Sequence, residues 1–413
     1  MRNQISLAIV LGALVFTIAA SPVQAQTLES REDPSLDYPI EVLEADPYWQ
    51  PAGKWALDSP LTTLGAMRAV YRKLGTLPAQ RLRLPVPNSP WKLTGRVSRT
   101  GDGTIYAAFG RYLYHSTDEG LSWKGRKLDN LAGAREGQPV STAAFGSNDE
   151  YIFLAHAHRG LLPIDPESEN PTYPEVISRS SDGGRTWQAG DPLKHAFKKA
   201  GGDGNHIVSL GGGELLANLD GYGGSQDPNI KKQGGMVIFR STDSGTTWKM
   251  DSIVPRVAET GFLHLGGRRM LAAFRNESGK HDSKTVQLAN SEDGGRTWHS
   301  HRPLTRMYGQ AHGDLVALPG GGVVATYENR YPYADGGAML ARVSWDEGQT
   351  WEPELYKLTR GHGYSGSVVL EDGTIVTLAG DGRLSRVGRP TGRRYTLQAV
   401  RWKPWPKGKK GGE

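Results

Sequence analysis

The stretch Ser116-Thr117-Asp118-Glu119-Gly120-Leu121-Ser122-Trp123 recurs four more times, as Ser180–Trp187, Ser241–Trp248, Ser291–Trp298 and Ser344–Trp351. The shared pattern is S-x-D-x-G-x-x-W, and successive copies start 64, 61, 50 and 53 residues apart. A period of this size is the mark of propeller blades. The chemistry of each copy is local. Ser and Asp side chains bond the amides of a tight turn. Gly takes the φ > 0 position. Trp is large enough to anchor one blade against the next. Asp118, Asp182, Asp243, Asp293 and Asp346 are therefore read as turn formers, not as paired catalytic carboxylates.

Around each copy lies a second pattern, in which two apolar strands flank a Gly-rich turn. Ile207–Leu210 with Glu214–Asn218, and Leu315–Leu318 with Val323–Tyr327, are examples. They read as the inner hairpin of a four-stranded blade. A last unit, Gly366–Leu370 with Thr374–Leu378, has no S-x-D-x-G-x-x-W copy, and Tyr395–Trp402 is expected as its outer strand. The expectation is an all-β, six-bladed β-propeller over 91–405. Its blades fall near 91–135, 136–200, 201–256, 257–306, 307–360 and 361–405. Residues 26–90 form an N-terminal lead-in that wraps the propeller or closes its ring, with a short amphipathic helix expected over Leu61–Leu74. Residues 406–413 form a basic tail.

Composition agrees with a folded chain. Of 413 residues, 37% are apolar and 22% charged, which excludes a disordered or multi-spanning protein. Gly at 54 and Trp at 11 suit many tight turns with recurrent anchors. Met1-Arg2, the apolar run Ile5 to Ala20 and Val23-Gln24-Ala25 read as a cleavable leader over 1–25, so a secreted or periplasmic location is expected. No later run of about 18 apolar residues implies a membrane span. With no cysteine, an exported chain must rely on core burial, and no Cys-based metal site is possible. The formal charge of +6 loses one unit with Arg2 and includes Lys407, Lys409 and Lys410. The remaining basic excess suits an anionic glycan, and nucleic acid is not expected as a partner of an exported chain whose aromatics sit in structural repeats. A monomer is expected, because a propeller closes on itself, and no cofactor or metal is expected, because no acid-rich loop stands out as a cage.

Long insertions between regular strands point to a functional face. They are His156–Val176, Gly221–Gly234 and Asn329–Gly336. The five boxes on six blades resemble the sialidase superfamily, the Asp-box or BNR-repeat propellers. Two further segments resemble the sialidase site. One is Glu259 to Arg275, a Glu sixteen residues before an Arg across an inner hairpin. The other is Gly363-Tyr364-Ser365-Gly366, which opens the last blade. The resemblance implies Tyr364 as nucleophile, Glu259 as the base that polarises it, and Arg275 and Arg330 as the grip on a substrate carboxylate. Such chemistry is sound, since a neutral phenol avoids repulsion from an anionic sugar and Arg binds carboxylate in a fork.

The N-terminal half departs from that pattern. No F/Y-R-I-P segment occurs, and Tyr71-Arg72-Lys73-Leu74 echoes it only superficially. Blade one has a tight hairpin where an acid-bearing loop is needed, and blade two has Ser141 where an Arg would stand. Asp165, with Arg159 and His158 nearby, is the candidate acid from the blade-two loop, although Ile164-Asp165-Pro166 also reads as a turn. His206, His312 and His362 fall at inner-strand starts, and His156 flanks the blade-two loop. Such a His rim is not the sialidase pattern, and it shows no local metal-ligand spacing. Three functions stay open: an exo-glycosidase for an acidic terminal sugar, a polysaccharide lyase or divergent glycosidase using His, Tyr and Arg, and a non-catalytic propeller that binds glycan or protein.

Overall fold

The computed structural model describes residues 95–404, except for 135–139, 141, 169–171, 203, 226–233, 278–284, 306–308, 330–337, 353–355, 361–362 and 382–395. It also describes 406–407 and four short strands before residue 85. The leader region 1–25 and the end of the basic tail lie outside the described residues. Among the described residues there is no helix.

Six antiparallel four-stranded units follow one another. The first is Gly95–Arg99, Ile105–Phe109, Tyr112–Ser116 and Lys124–Lys127. The second is Ala144–Ser147, Ile152–Ala157, Glu175–Ser180 and Gln188–Ala189. The third is Asn205–Gly211, Glu214–Ser225, Gly235–Ser241 and Lys249–Pro255, with Phe197–Gly201 as an extra strand on Glu214–Ser225. The fourth is Val257–Gly266, Arg269–Asn276, Val286–Ser291 and His299–Pro303. The fifth is Gln310–Ala317, Val323–Asn329, Ala338–Ser344 and Tyr356–Arg360. The sixth uses Ser365–Val369, Ile375–Asp381 and Thr396–Trp402, and it takes its fourth strand, Gln80–Leu84, from the N-terminal region.

The strands before residue 85 correct two expectations. Thr396–Trp402 is the third strand of its blade, because Gln80–Leu84 covers its free edge and Val42–Leu43 pairs outside that. An exposed apolar edge strand is a liability that pairing removes. Tyr71–Gly75 is a strand paired with Tyr48–Pro51, so the helix expected over Leu61–Leu74 does not reach its C-terminal end; 61–70 lie outside the described residues.

The hydrophobic cores sit between the blades. Blade one shares one with blade six through Val97, Phe109, Val376 and Leu397. The next five join blades one and two, two and three, three and four, four and five, and five and six. Six units with six shared cores make a closed ring, consistent with a six-bladed β-propeller.

Each repeated octapeptide builds one of these junctions. The Ser hydroxyl accepts the Gly N–H at 2.8–2.9 Å. One Asp oxygen accepts the N–H four residues on at 2.8–3.0 Å. The Gly lies at φ 77° to 86°. The Trp enters the core shared with the preceding blade, as with Trp123, Trp187 and Trp298. There Trp298 stacks on Phe262 with centroids 5.3 Å apart. The glycines meet a second demand, since a Cβ on any of them would strike the preceding blade. The obstacle is Val376 for Gly120, Leu113 for Gly184, Phe153 for Gly245, Leu216 for Gly295 and Leu271 for Gly348.

Gly245→Ala therefore adds steric overlap to backbone strain, because its Cβ would lie 2.2 Å from the Phe153 ring. Gly373 has a similar φ of 80° and open space around it. Thermal denaturation should show a loss of about 3 kcal/mol for Gly245→Ala and about 1 kcal/mol for Gly373→Ala. Equal losses would mean that contact with the preceding blade contributes nothing.

Candidate active site

In a four-stranded meander, the first–second and third–fourth turns share one face. The second–third loops and the links between blades share the other. The octapeptides are third–fourth turns, so the long second–third loops open on the opposite face. That face gathers the ends of the second strands and the beginnings of the inner strands.

There the inner strands of blades four and five break register in the same way. Pairing shifts between Ala258 and Gly261 in one, and between Ala311 and Asp314 in the other. Each break holds a non-glycine residue in the left-handed region, Glu259 at φ 46° and His312 at φ 59°. Such a conformation costs about 1–3 kcal/mol and persists only where its surroundings enforce it. A bulge of this kind re-aims one side chain, and here it turns both into one cluster.

Glu259 Oε2 pairs with Arg275 Nη1 and faces His312 Nε2. Arg275 Nη1 lies 3.0 Å from the same ring nitrogen. On the other side of the ring, His312 Nδ1 lies 2.9 Å from Glu328 Oε1. Glu328 Oε2 in turn accepts the Gly363 N–H at 3.0 Å, just before Tyr364. The His312 and Tyr364 rings stack, with centroids 4.1 Å apart and planes 7° from parallel. Gly204 backs the Tyr364 ring so closely that a Cβ there would lie 2.2 Å from it.

Charge follows from this packing. Burial opposes the Arg275 charge, but Glu259, Tyr364, Glu277 and Asp220 hold the guanidinium above its ordinary value. Arg275 Nε donates to Glu277 Oε1 at 2.6 Å, on the more exposed side of the cluster. Burial, and then the Glu259 charge, push the Asp220 carboxyl up to about 7. Asp220 Oδ1 accepts the Glu259 N–H at 2.9 Å.

A second polar layer closes the axis. Arg96, fully buried on the inner strand of blade one, donates to Ser365 O at 2.8 Å and Gly313 O at 3.3 Å. Its Nη1 lies 3.6 Å from Asp314 Oδ1. Asp314 also meets His206 Nε2 at 3.0 Å and accepts the Ser367 N–H at 2.9 Å. These contacts tie together inner strands of blades one, three, five and six.

Of the residues expected at the site, Tyr364, Glu259, Arg275 and His312 come together, and His206 lies in the second layer. Arg330 and His362 lie outside the described residues. Asp165 is not brought to the cluster. It is exposed, and both its oxygens accept from Thr172 within its own loop. His158 Nδ1 accepts the Gly160 N–H at 3.2 Å, and Arg159 sits beside it on that loop. His156 belongs to the blade core, where its Nε2 lies 2.8 Å from Ser178 Oγ and burial lowers it to about 4. Sequence reasoning missed Arg96, Asp220, Asp314 and Glu328. They lie on strands of blades one, three and five, among other polar residues, and no local spacing marks them in the sequence.

Residues 167–377, just over half of the chain, match the BNR repeat-like domain family. The chain belongs to this sialidase-like family. A sialidase of Micromonospora viridifaciens is 25% identical over 227 residues, which cover 52% of this chain and 32% of that protein. The chain thus spans about a third of that relative's length. Among solved structures, the Hadza microbial sialidase Hz136 aligns with a TM-score of 0.54 and 20% identity over 74% of this chain and 65% of that one. Trypanosoma rangeli sialidase with the inhibitor DANA gives 0.52 and 16% over 78% and 56%. An α-L-arabinofuranosidase of Fusarium graminearum gives 0.52 and 13% over 76% and 95%. At these identities the structures establish the shared propeller fold.

One buried acid on this face stands apart from the cluster. Glu175 opens the third strand of blade two beneath Gly201, and its Oε2 has no hydrogen-bond partner among the described residues. Burial pushes it up to about 8, opposed by a backbone hydrogen bond and by Lys199. The folded state therefore keeps a proton that the unfolded chain releases at lower pH. This group's contribution to stability falls as pH rises between those two values. Glu175→Gln should raise the melting temperature at about pH 9, by the equivalent of about 2–4 kcal/mol, and change it little at about pH 5. The same shift at both pH values would refute the buried-proton assignment.

Proposed function

We propose that this BNR-repeat propeller is an exported, monomeric exo-glycoside hydrolase that removes an acidic terminal sugar from a glycan. One observation carries the reading: Tyr364, Glu259 and Arg275, drawn from blades four and six, converge around His312 at the axis. Tyr364 attacks the anomeric carbon as the glycosidic bond breaks; Glu259 takes the phenol proton, and the departing aglycone oxygen takes a proton from solvent. Water then hydrolyses the tyrosyl–sugar bond. Arg275 takes the substrate carboxylate through the edge that Glu277 now holds, and Arg330 is its second grip. The described cluster is richer in carboxylates than in guanidinium groups, so an acidic sugar must displace Glu277 to reach Arg275.

A second reading rests on His312. His312 stacks on Tyr364 beside Arg275, which brings together the His, Tyr and Arg that a lyase uses to neutralise a uronate carboxylate and move its α-proton. That would make the enzyme a polysaccharide lyase.

Product analysis separates the two. On a fluorogenic sialoside, the hydrolase reading expects release of the fluorophore and a saturated free sugar. Tyr364→Phe and Glu259→Gln should each lower kcat by about 100-fold or more. Glu277→Gln should lower KM, because it frees Arg275. An ultraviolet-absorbing unsaturated product from a uronate polymer, lost in His312→Ala and retained in Tyr364→Phe, would replace the hydrolase reading with the lyase.

A further inference from the structure

Glu259 does not reach the cluster by side-chain choice alone. Its backbone must sit at φ 46°, in a region that non-glycine residues rarely occupy. Something must hold that peptide, and the acceptor of its N–H is a carboxylate from another blade. Asp220 lies midway along the second strand of blade three, 1% exposed. Its Oδ1 takes the Glu259 N–H at 2.9 Å, and its Oδ2 takes the Tyr222 hydroxyl at 3.0 Å. Gly202 lies against it so closely that a Cβ there would come within 2.4 Å of Oδ2. The carboxyl is thus fixed on both oxygens and backed by main chain.

We propose that Asp220 is a positioning residue, which pins the Glu259 peptide in its left-handed turn and so aims the Glu259 carboxylate at Arg275 and His312. The inference rests on the reading of Glu259 as the base for Tyr364. A simple structural contact at this place needs no charge. A carboxylate buried next to a second carboxylate is costly unless it is bonded, and a neutral acceptor would satisfy one N–H at lower cost. The groups that face Asp220 are Glu259 from the inner strand of blade four, Arg275 from its second strand, Arg96 from blade one and Tyr222 on its own strand. Loss of the Asp220 proton therefore acts directly on Glu259. It places a second negative charge beside the base and strengthens its hold on a proton.

Asp220→Ala and Asp220→Asn separate aim from bulk, with Glu259→Gln run alongside. Asn keeps an acceptor for the Glu259 N–H but cannot ionise. Asp220→Ala should lower kcat about 100-fold with KM within about twofold. Asp220→Asn should restore kcat to within about tenfold of the native chain while removing an inflection near neutral pH from its kcat profile. Hydrogen exchange of the peptide containing Glu259 gives a readout that needs no substrate. Exchange should be about tenfold faster or more in Asp220→Ala and near native in Asp220→Asn. A native kcat in Asp220→Ala, an effect on KM alone, or an unchanged pH profile in Asp220→Asn would overturn the proposal. So would unchanged exchange at Glu259 in Asp220→Ala. If Asp220→Ala does not fold, the Asp220→Asn profile decides. Full activity in Glu259→Gln would instead refute Glu259 as the base, and the exchange result would still stand or fall separately.

Discussion

Everything in this molecule depends on how closely one blade can approach the one before it. Five times, that distance is set by a glycine in a Ser–Asp turn pressed against a strand of the preceding blade. The turn supplies its own hydrogen bonds, so it is a rigid wedge. The Trp three residues later fills the space the glycine leaves. Repeated around the ring, the contact fixes how closely neighbouring inner strands lie near the axis. Gly366 shows how close that is, since a Cβ there would lie 2.4 Å from the Val97 nitrogen of the neighbouring blade. Blade six has no wedge of its own. Its outer edge is covered by Gln80–Leu84, and the blade-one wedge at Gly120 bears on its Val376. Closure therefore uses both ends of the chain.

Once the inner strands are held this near the axis, their polar side chains must satisfy one another. Arg96, Asp314 and His206 do so by crossing between blades, and each crossing ends on a backbone group as well. A buried ion pair of this type contributes little net stability against an apolar alternative. Its value lies in specificity, because the hydrogen-bond geometry admits one relative placement of blades one, three, five and six. The same logic explains why Arg96 is poorly suited to gripping a substrate. It is fully buried, and its Nη1 and Nη2 donate to the Ser365 and Gly313 carbonyls within the protein.

The propeller was legible because its repeat is local. Ser, Asp, Gly and Trp within eight residues carry their own turn, and the period carries the blade. Half of the site was legible for a similar reason. Glu259 and Arg275 face each other across one hairpin, and Tyr364 opens the next-but-one inner strand. The other members come from strands far apart in sequence. Asp220, Glu328 and Arg96 meet the cluster only after the ring closes, so no local spacing announces them. Asp165 is the opposite case, a residue read both as a candidate acid and as a turn former. A polar residue in a long loop looks available, yet the loop uses both of its oxygens for its own turn. The lead-in was expected to wrap the propeller or close its ring, but the place of Gln80–Leu84 in blade six carries no repeat and borrows its partner from the far end of the chain, so no spacing gave it.

The two register breaks show how a repeated scaffold acquires a single site. Ala258-Glu259-Thr260-Gly261 and Ala311-His312-Gly313-Asp314 occupy matching places in successive blades, and each turns one side chain out of the strand's alternation. In a regular strand, neighbouring residues point to opposite faces. Glu259 and His312 could then reach the axis only by displacing the apolar residues that build the cores between blades. The bulge lets the chain spend one extra residue, keep its core face in register and still project a functional group. The strain this costs is local, and its compensation is local too: Glu259 is held by Asp220 and Arg275, and His312 by Glu328 and the Tyr364 ring. Two adjacent, individually strained positions thus stabilise each other through the Glu259–His312 contact. That mutual support is what a sixfold repeat alone cannot provide.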